Sequence, residues 1–244
     1  MSLRVFLLAA GFGSRLRPLT DTVPKCAVPI NEKPLLNYWY EQLKVLNVDL
    51  FLVNTHYLPD VVGSIIRRLP SASLDRTRVI FEPHLLGTAG SILSNIDVLL
   101  PADTVLIAHA DNLCICDFQE FLAAHYRRPA GCVMTMMLFE CDDPQKCGIV
   151  EVDDSGIVVE FHEKVSDPPS RMANGAVYLV DSCFLNWLNE NYNVESSPDL
   201  SIDVIPDLLG RIYSWANDGY HRDIGTPESY QQACSDMRLL YQDD

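Results

Sequence analysis

Apolar and polar residues alternate along this chain at two periods. Residues 3–10 (LRVFLLAA) are apolar but for one arginine, the pattern of a strand buried on both faces. After Pro34, the residues Leu36, Trp39, Tyr40, Leu43 and Leu46 recur at helical spacing. A second apolar run covers residues 48–53, a helical pattern covers 58–69 and a short strand 78–81. Residues 91–100 read as a helix that stops before Pro101, residues 104–108 as another buried strand, and residues 118–126 as a further helix. Strand and helix taking turns in this way predict an α/β fold with a doubly wound, mostly parallel sheet and helices on both faces.

The pattern changes in the second half. Residues 132–139, 148–152 and 157–161 are short strands, the last two joined by the turn sequence DDSG at 153–156. Residues 176–180 form one more strand, and 182–190 and 201–209 are helical. The final helix starts at Thr226, Pro227 and Glu228, a capping residue followed by a first-turn proline and an acid. No internal repeat, low-complexity tract or linker interrupts the chain. The expectation is a single domain over residues 1–244. Residues 1–130 bind one ligand, and a smaller β-rich part, 131–244, completes the pocket.

Composition narrows the partners. The formal charge of −15 argues against nucleic acid or an anionic membrane as a bulk partner. A small anionic ligand is still allowed, because one local basic loop can bind phosphates. The apolar start is too short and too close to a glycine-rich turn to read as a signal peptide, and no stretch approaches the ~18 apolar residues of a membrane span. The eight cysteines lack any zinc-site spacing, so they read as reduced thiols of a cytoplasmic protein. A homodimer is one assembly that the sequence leaves open.

The chemistry gathers at the ends of strands. In open α/β sheets, ligands bind outside the carboxyl ends of the strands. The loop from Gly11 to Lys25 follows the first strand, and Asp111 follows the strand at 104–108, so both belong to one rim. Gly11 and Gly13 let backbone N–H groups approach phosphate oxygens, and Arg15, Arg17 and Lys25 follow them. The dinucleotide fingerprint needs a third glycine where Leu16 stands, and the G-K-[ST] of a Walker loop is absent.

The stretch LLAAGFGSRLRPLTDTVPKCAVPI resembles the signature of the sugar-1-phosphate nucleotidyltransferases. The family's other stretches follow in order: LGTAG at 86–90, ADN at 110–112, GIVEVD at 148–153, FHEK at 161–164, NGAVY at 174–178 and DIGTPE at 223–228. Within the family the pattern is most similar to guanylyltransferases acting on mannose 1-phosphate or a manno-heptose 1-phosphate. The resemblance implies a Rossmann-like nucleotidyltransferase fold and the joining of a nucleoside triphosphate, here GTP, to a sugar 1-phosphate with release of pyrophosphate. A uridylyl- or thymidylyltransferase, or a non-catalytic nucleotide-sugar sensor, is the alternative. The chain shows no hexapeptide-repeat domain, so no fused acyltransferase is expected.

The resemblance also implies roles. The backbone of Ala10, Gly11 and Gly13 cradles the triphosphate, Arg15 holds the departing pyrophosphate and Lys25 neutralises the α-phosphate. Asp111 and Asp223 hold Mg²⁺, a hard cation suited to carboxylate and phosphate oxygens. Glu82, Gly87 and Thr88 face the base. Gly148 belongs to the sugar side, where Lys164 grips the sugar's phosphate and Glu163 and Asn174 bond its hydroxyls. Each has a plainer reading: Arg15, Arg17 and Lys25 as solvated charges, Asp111 and Asp223 as turn or cap residues, Glu163 and Lys164 as a solvated pair, Glu82 as an exposed strand end. His109 and His221 are expected to pack beside the rim or touch ligand.

Overall fold

The structure is a computed structural model and describes residues 1–240. Strands β1 (Leu3–Leu8), β2 (Leu50–Thr55), β3 (Thr77–Phe81) and β4 (Thr104–His109) lie parallel in the order β4–β1–β2–β3. Helices α1 (Leu35–Leu43), α2 (Pro59–Ile66) and α3 (Thr88–Ser94) lie on the crossovers between them. After β4 the chain makes β5 (Asn112–Ile115), α4 (Phe118–Arg127), β6 (Met134–Glu140) and the hairpin of β7 (Gly148–Val152) and β8 (Val158–Glu163). It ends with β9 (Met172–Val180), α5 (Ser182–Asn191), β10 (Ile212–Ala216), β11 (Tyr220–Asp223) and α6 (Pro227–Leu240).

Alternation along β1 shows why the sheet is covered twice. Val5 and Leu7 pack with Leu36, Trp39, Val62 and Phe121 from α1, α2 and α4. Phe6 and Leu8 point the other way, onto Ala89 and Ile92 of α3 and Phe184 and Leu188 of α5. Burying such side chains contributes roughly 1.5–3 kcal/mol each. The doubly wound, mostly parallel α/β arrangement read from the sequence is therefore the one observed. The helices start on signals written beside them. Asp117 and Asp181 accept from the first free N–H groups of α4 and α5.

The second half extends the sheet with antiparallel strands. β9 pairs with β4, with β6 and, through Ala173 opposite Ile149, with the β7–β8 hairpin. Its register against β6 shifts between Asn174 and Tyr178, where Ala176 takes a left-handed conformation (φ 53°). The shift turns the Gly175 carbonyl toward β11, where it accepts from His221 Nε2 at 2.8 Å. β5 and β11 form a small separate antiparallel sheet in which Asn112 lies opposite Asp223. Neither strand was expected from the sequence, nor was β10.

Two elements differ from the expected helices. Residues 91–100 split at Asn95, whose side chain donates to Ser91 O at 2.9 Å and whose backbone leaves helical geometry. Residues 201–209 form a π-turn (Leu200–Val204) and a single α-turn (Ile205–Asp207). Pro206 has no N–H to bond the carbonyl four residues back, so a regular helix cannot continue there.

His125 of α4 is buried and bonds Thr135 Oγ1 of β6 at 2.9 Å. Burial pushes its pKa down from 6.5 to about 3. Between these values the unfolded chain binds a proton that the folded chain does not, so stability falls as pH drops below the unfolded value, by up to ~1.4 kcal/mol per pH unit. Denaturant unfolding at about pH 7 and about pH 5 checks this: His125→Gln is expected to lose roughly 1–2 kcal/mol less than the parent over that interval.

Candidate active site

The loop after β1 folds back so that Gly13 lies over Lys25. Gly13 has φ +61°, and a Cβ there would sit 2.8 Å from Lys25 Cβ, so both its conformation and its contact require glycine. Its carbonyl accepts from Leu16 N at 3.0 Å and Thr20 Oγ1 at 2.8 Å. Tyr57 Oη, just past β2, donates to Thr20 O at 2.9 Å and ties the loop to the neighbouring strand. Lys25 is thereby carried inward, and its side chain is only 7% exposed.

Asp111 arrives from the turn after β4, and Asp223 from the end of β11 beside β5. Both carboxylates close on one ammonium: Lys25 Nζ lies 2.9 Å from Asp111 Oδ2 and 2.6 Å from Asp223 Oδ1. Burial works against the charge on Lys25, but Asp111 and Asp223 outweigh it and raise its pKa above 10.5. Burial likewise opposes the Asp111 anion, but Lys25 and then His109 hold its pKa below 3.8. Arg15 Nη2 lies 3.7 Å from Asp223 Oδ2 on the outer side. A Cβ at Gly225 would stand 2.6 Å from that oxygen and 3.1 Å from the guanidinium, so glycine makes the room that this pair occupies. Arg17 instead pairs with Asp21 at 3.2 Å.

Two clefts meet at the lysine. The first, about 220 Å³, is lined by Ala10, Gly11, Glu82, Gly87 and Thr88. The second, about 300 Å³, is lined by Arg15, Gly148, Glu163, Lys164, Asn174 and Asp223. Lys25, His109, Asp111 and Asp199 line both. Ala10, Gly11, Glu82, Gly87 and Thr88 thus line the first cleft and Gly148, Glu163, Lys164 and Asn174 the second, while Arg15, expected on the side of the triphosphate, lines the second cleft only. Gly13 lines neither of these clefts and sits against the lysine stem instead.

In the first cleft, Glu82 is not an exposed strand end but a buried carboxylate, 3% exposed. Its Oε1 accepts from Asn54 Nδ2 at 2.9 Å, while Oε2 is buried without a partner. Asn54 also accepts from Ala9 N at 2.6 Å and reaches Ser91 Oγ at 3.1 Å. The first N–H groups of α3 are taken by the Pro198 carbonyl, at 3.0 Å from Ala89 N and 3.1 Å from Gly90 N. Thr88 Oγ1 donates to Asp199 Oδ2 at 2.9 Å. Gly87 has φ +75°, and a Cβ there would meet Ser197 O at 2.3 Å.

In the second cleft, Lys164 Nζ donates to Glu163 Oε1 at 2.5 Å. A Cβ at Gly148 would fall 2.5 Å from Phe161 Cζ and 2.7 Å from Glu163 Oε2, so glycine sets the cleft wall. Asn174 Nδ2 donates to Tyr178 Oη at 2.7 Å, and its Oδ1 accepts from Ala176 N at 2.9 Å. His221 packs its ring 4.1 Å from Phe139, and burial lowers its pKa from 6.5 to about 4, so the ring is neutral at pH 7. Sequence reasoning missed Asn54, Ser91 and Asp199. For Asn54 a signal existed: a polar residue closing an apolar run marks the rim end of a buried strand.

The sequence model of one family, described as nucleotidyl transferase, matches residues 4–238. The chain belongs to the nucleotidyl transferase family. Among curated relatives it is 28% identical over 231 residues to a mannose-1-phosphate guanylyltransferase of Mycobacterium tuberculosis, covering 95% of this chain and 63% of that one. It is 30% identical over 250 residues to a glucose-1-phosphate adenylyltransferase of Geobacillus stearothermophilus, covering 95% and 65%. The chain thus spans just under two thirds of these relatives' length. Its fold matches the crystal structure of HddC from Yersinia pseudotuberculosis with TM-score 0.80 at 24% identity, over 97% of this chain and all of that one. It also matches a putative glucose-1-phosphate thymidylyltransferase from Bacillus anthracis with TM-score 0.81 at 20% identity, over 97% and 96%. Among the described residues no helix is long and apolar enough to cross a membrane.

The two cleft glycines, Gly87 and Gly11, should behave differently. Gly87→Ala forces a Cβ into backbone at a positive φ and is expected to lower the unfolding free energy by about 2–4 kcal/mol. Gly11→Ala meets nothing within 4 Å and should stay within about 0.5 kcal/mol of the parent in urea unfolding.

Proposed function

We propose that the protein transfers a nucleoside monophosphate from GTP to mannose 1-phosphate or a manno-heptose 1-phosphate, giving a nucleotide sugar and pyrophosphate. The observation that carries the reaction class is the buried Lys25, clasped by Asp111 and Asp223 where two clefts meet. The first cleft takes the triphosphate and the second the sugar phosphate. The sugar's phosphate oxygen attacks the α-phosphorus, that O–P bond forms, and the bond to the β-phosphate's bridging oxygen breaks. Two anions must approach, so fixed positive charge matters more than a general base.

Each side chain then has a task. Lys25 neutralises the charge that builds on the α-phosphate. Arg15, at the outer edge beside Asp223, holds the leaving pyrophosphate. The backbone of Ala10 and Gly11 borders the triphosphate, and Gly13 fixes the loop that presents it. Lys164 meets the phosphate of the incoming sugar, while Glu163 and Asn174 accept from or donate to its hydroxyls. Asp111 and Asp223 fit Mg²⁺, because they are carboxylates from separate elements that already converge on one cation; bound there, Mg²⁺ would neutralise phosphate charge. Eight free cysteines agree with a reducing compartment such as the cytoplasm.

Preference for guanine rests on Glu82. Guanine presents two adjacent donors, the ring N1–H and the exocyclic amino group. A carboxylate offers acceptors only, and Oε2 has none of its hydrogen bonds made. Uracil and thymine would set a carbonyl against that carboxylate, and adenine would set its bare N1 there. The relatives include adenylyl- and guanylyltransferases, so the base is where the assignment is most open to test.

A pyrophosphate-release assay across four nucleotides and a panel of sugar 1-phosphates tests the function; absence of turnover with every pair would favour a non-catalytic nucleotide-sugar sensor. Lys25→Ala is expected to lower turnover on the order of 10²–10³-fold with a smaller change in substrate affinity, and near-parental turnover would refute its role. Glu82→Gln can donate as well as accept, so it should move preference from GTP toward UTP or dTTP. The ratio of kcat/KM values for GTP and UTP in the two proteins reports this, and an unchanged ratio would mean that Glu82 does not read the base.

A further inference from the structure

A second constellation of ligand-type side chains stands on the β7–β8 hairpin, outside the two clefts. Glu151 is on β7, and Glu160 and His162 are on β8. His162 Nε2 lies 2.7 Å from Glu151 Oε1 and 3.3 Å from Glu160 Oε2. Among the described residues this is the one group of three His, Cys, Asp or Glu whose donor atoms all lie within 4.8 Å of one another.

The backbone shows how the three come together. Val158 is opposite Val152, but Glu160 is opposite Glu151, with a register shift between them. Directly opposed residues of an antiparallel pair share a face. Had the register run on regularly, Glu160 and His162 would stand opposite Val150 and Gly148, on the other face from Glu151. The extra residue, Val159, is what moves them onto the face of Glu151. A bulge that re-aims side chains in this way sets two carboxylates against each other across a rigid strand pair, an arrangement that repels unless a cation lies between them.

We propose that Glu151, Glu160 and His162 bind a first-row divalent cation of borderline softness, with Zn²⁺ as the type. Three protein ligands, one of them an imidazole nitrogen and two of them carboxylates, match an open tetrahedral site whose remaining position is held by water. The imidazole decides the ion class, because Mg²⁺ and Ca²⁺ favour all-oxygen sets. Asp111 and Asp223, which offer oxygen only, are suited to the opposite choice. The two sites therefore sort ions by ligand chemistry. The site also touches the sugar side of the molecule: the same shifted register that aligns Glu160 with Glu151 aligns Glu163 with Gly148 at the cleft wall. An ion bridging β7 and β8 clamps that register.

Co²⁺ titration of the full chain tests this, because its visible absorption reports its ligands. Excess Mg²⁺ is included to occupy oxygen-only sites. One equivalent of Co²⁺ is expected to bind with d–d bands and without the near-ultraviolet charge transfer that thiolates give. His162→Ala should weaken this binding at least ~10-fold, since loss of an outer-shell partner alone commonly costs about that much. Glu160→Gln, at a side chain 63% exposed and so harmless to folding, should weaken it similarly, while Asp111→Asn should leave it unchanged. An unaltered titration in His162→Ala, or a spectrum in which thiolate charge transfer accounts for all the bound ion, would overturn the proposal.

Discussion

One ammonium group organises the rim of this molecule. Lys25 is almost fully buried, yet it is charged, because Asp111 from the turn before β5 and Asp223 from the end of the paired strand β11 both reach it. Removing either carboxylate would leave a buried cation partly uncompensated, a more damaging change than losing an exposed ion pair. Gly13, the Thr20 hydroxyl and Tyr57 all serve to bring the lysine in, and the β5–β11 pairing serves to bring Asp223 to it. The two carboxylates more than offset the cost of burial, so the lysine holds its proton more firmly than a lysine in water, at the point where the two clefts meet.

The opposite situation holds at Glu82. Its carboxylate is also buried, but it has half the partners it can use. Asn54 holds one oxygen and is itself fixed by Ala9 N and Ser91 Oγ, so the side chain cannot turn away to satisfy the other. A buried acceptor left without a donor typically costs about 1–3 kcal/mol. Folding energy from the core beneath the sheet must offset that deficit.

Much of this was legible in the chain, for physical reasons that differ by residue. The buried runs at β1, β2 and β4 announce a parallel sheet, and parallel order alone puts the loop carrying Lys25 and the turn carrying Asp111 on one rim. Asp223, Glu163 and Asn174 came only through resemblance, because nothing local marks them. β5 and β11 are four residues each and mix polar with apolar positions, so they have no period of their own; they exist because they pair with each other. Asn54 and Ser91 lie inside otherwise apolar elements, and their partners are distant in sequence. Pro206 was visible, but its effect, a π-turn ahead of it rather than a plain helix end, depends on how Asp199 and Thr88 lock the preceding turn.

The two clefts share Lys25, His109, Asp111 and Asp199 and no other lining residue. Asn54, Glu82, Gly87 and Thr88 stand on one side of that group, and Gly148, Glu163, Lys164 and Asn174 stand on the other. Substitutions at Glu82 or Asn54 leave the wall of the second cleft alone, and substitutions at Glu163 or Asn174 leave that of the first alone. A scaffold divided this way lets the lining of one cleft change without touching the other or the charged group that both share.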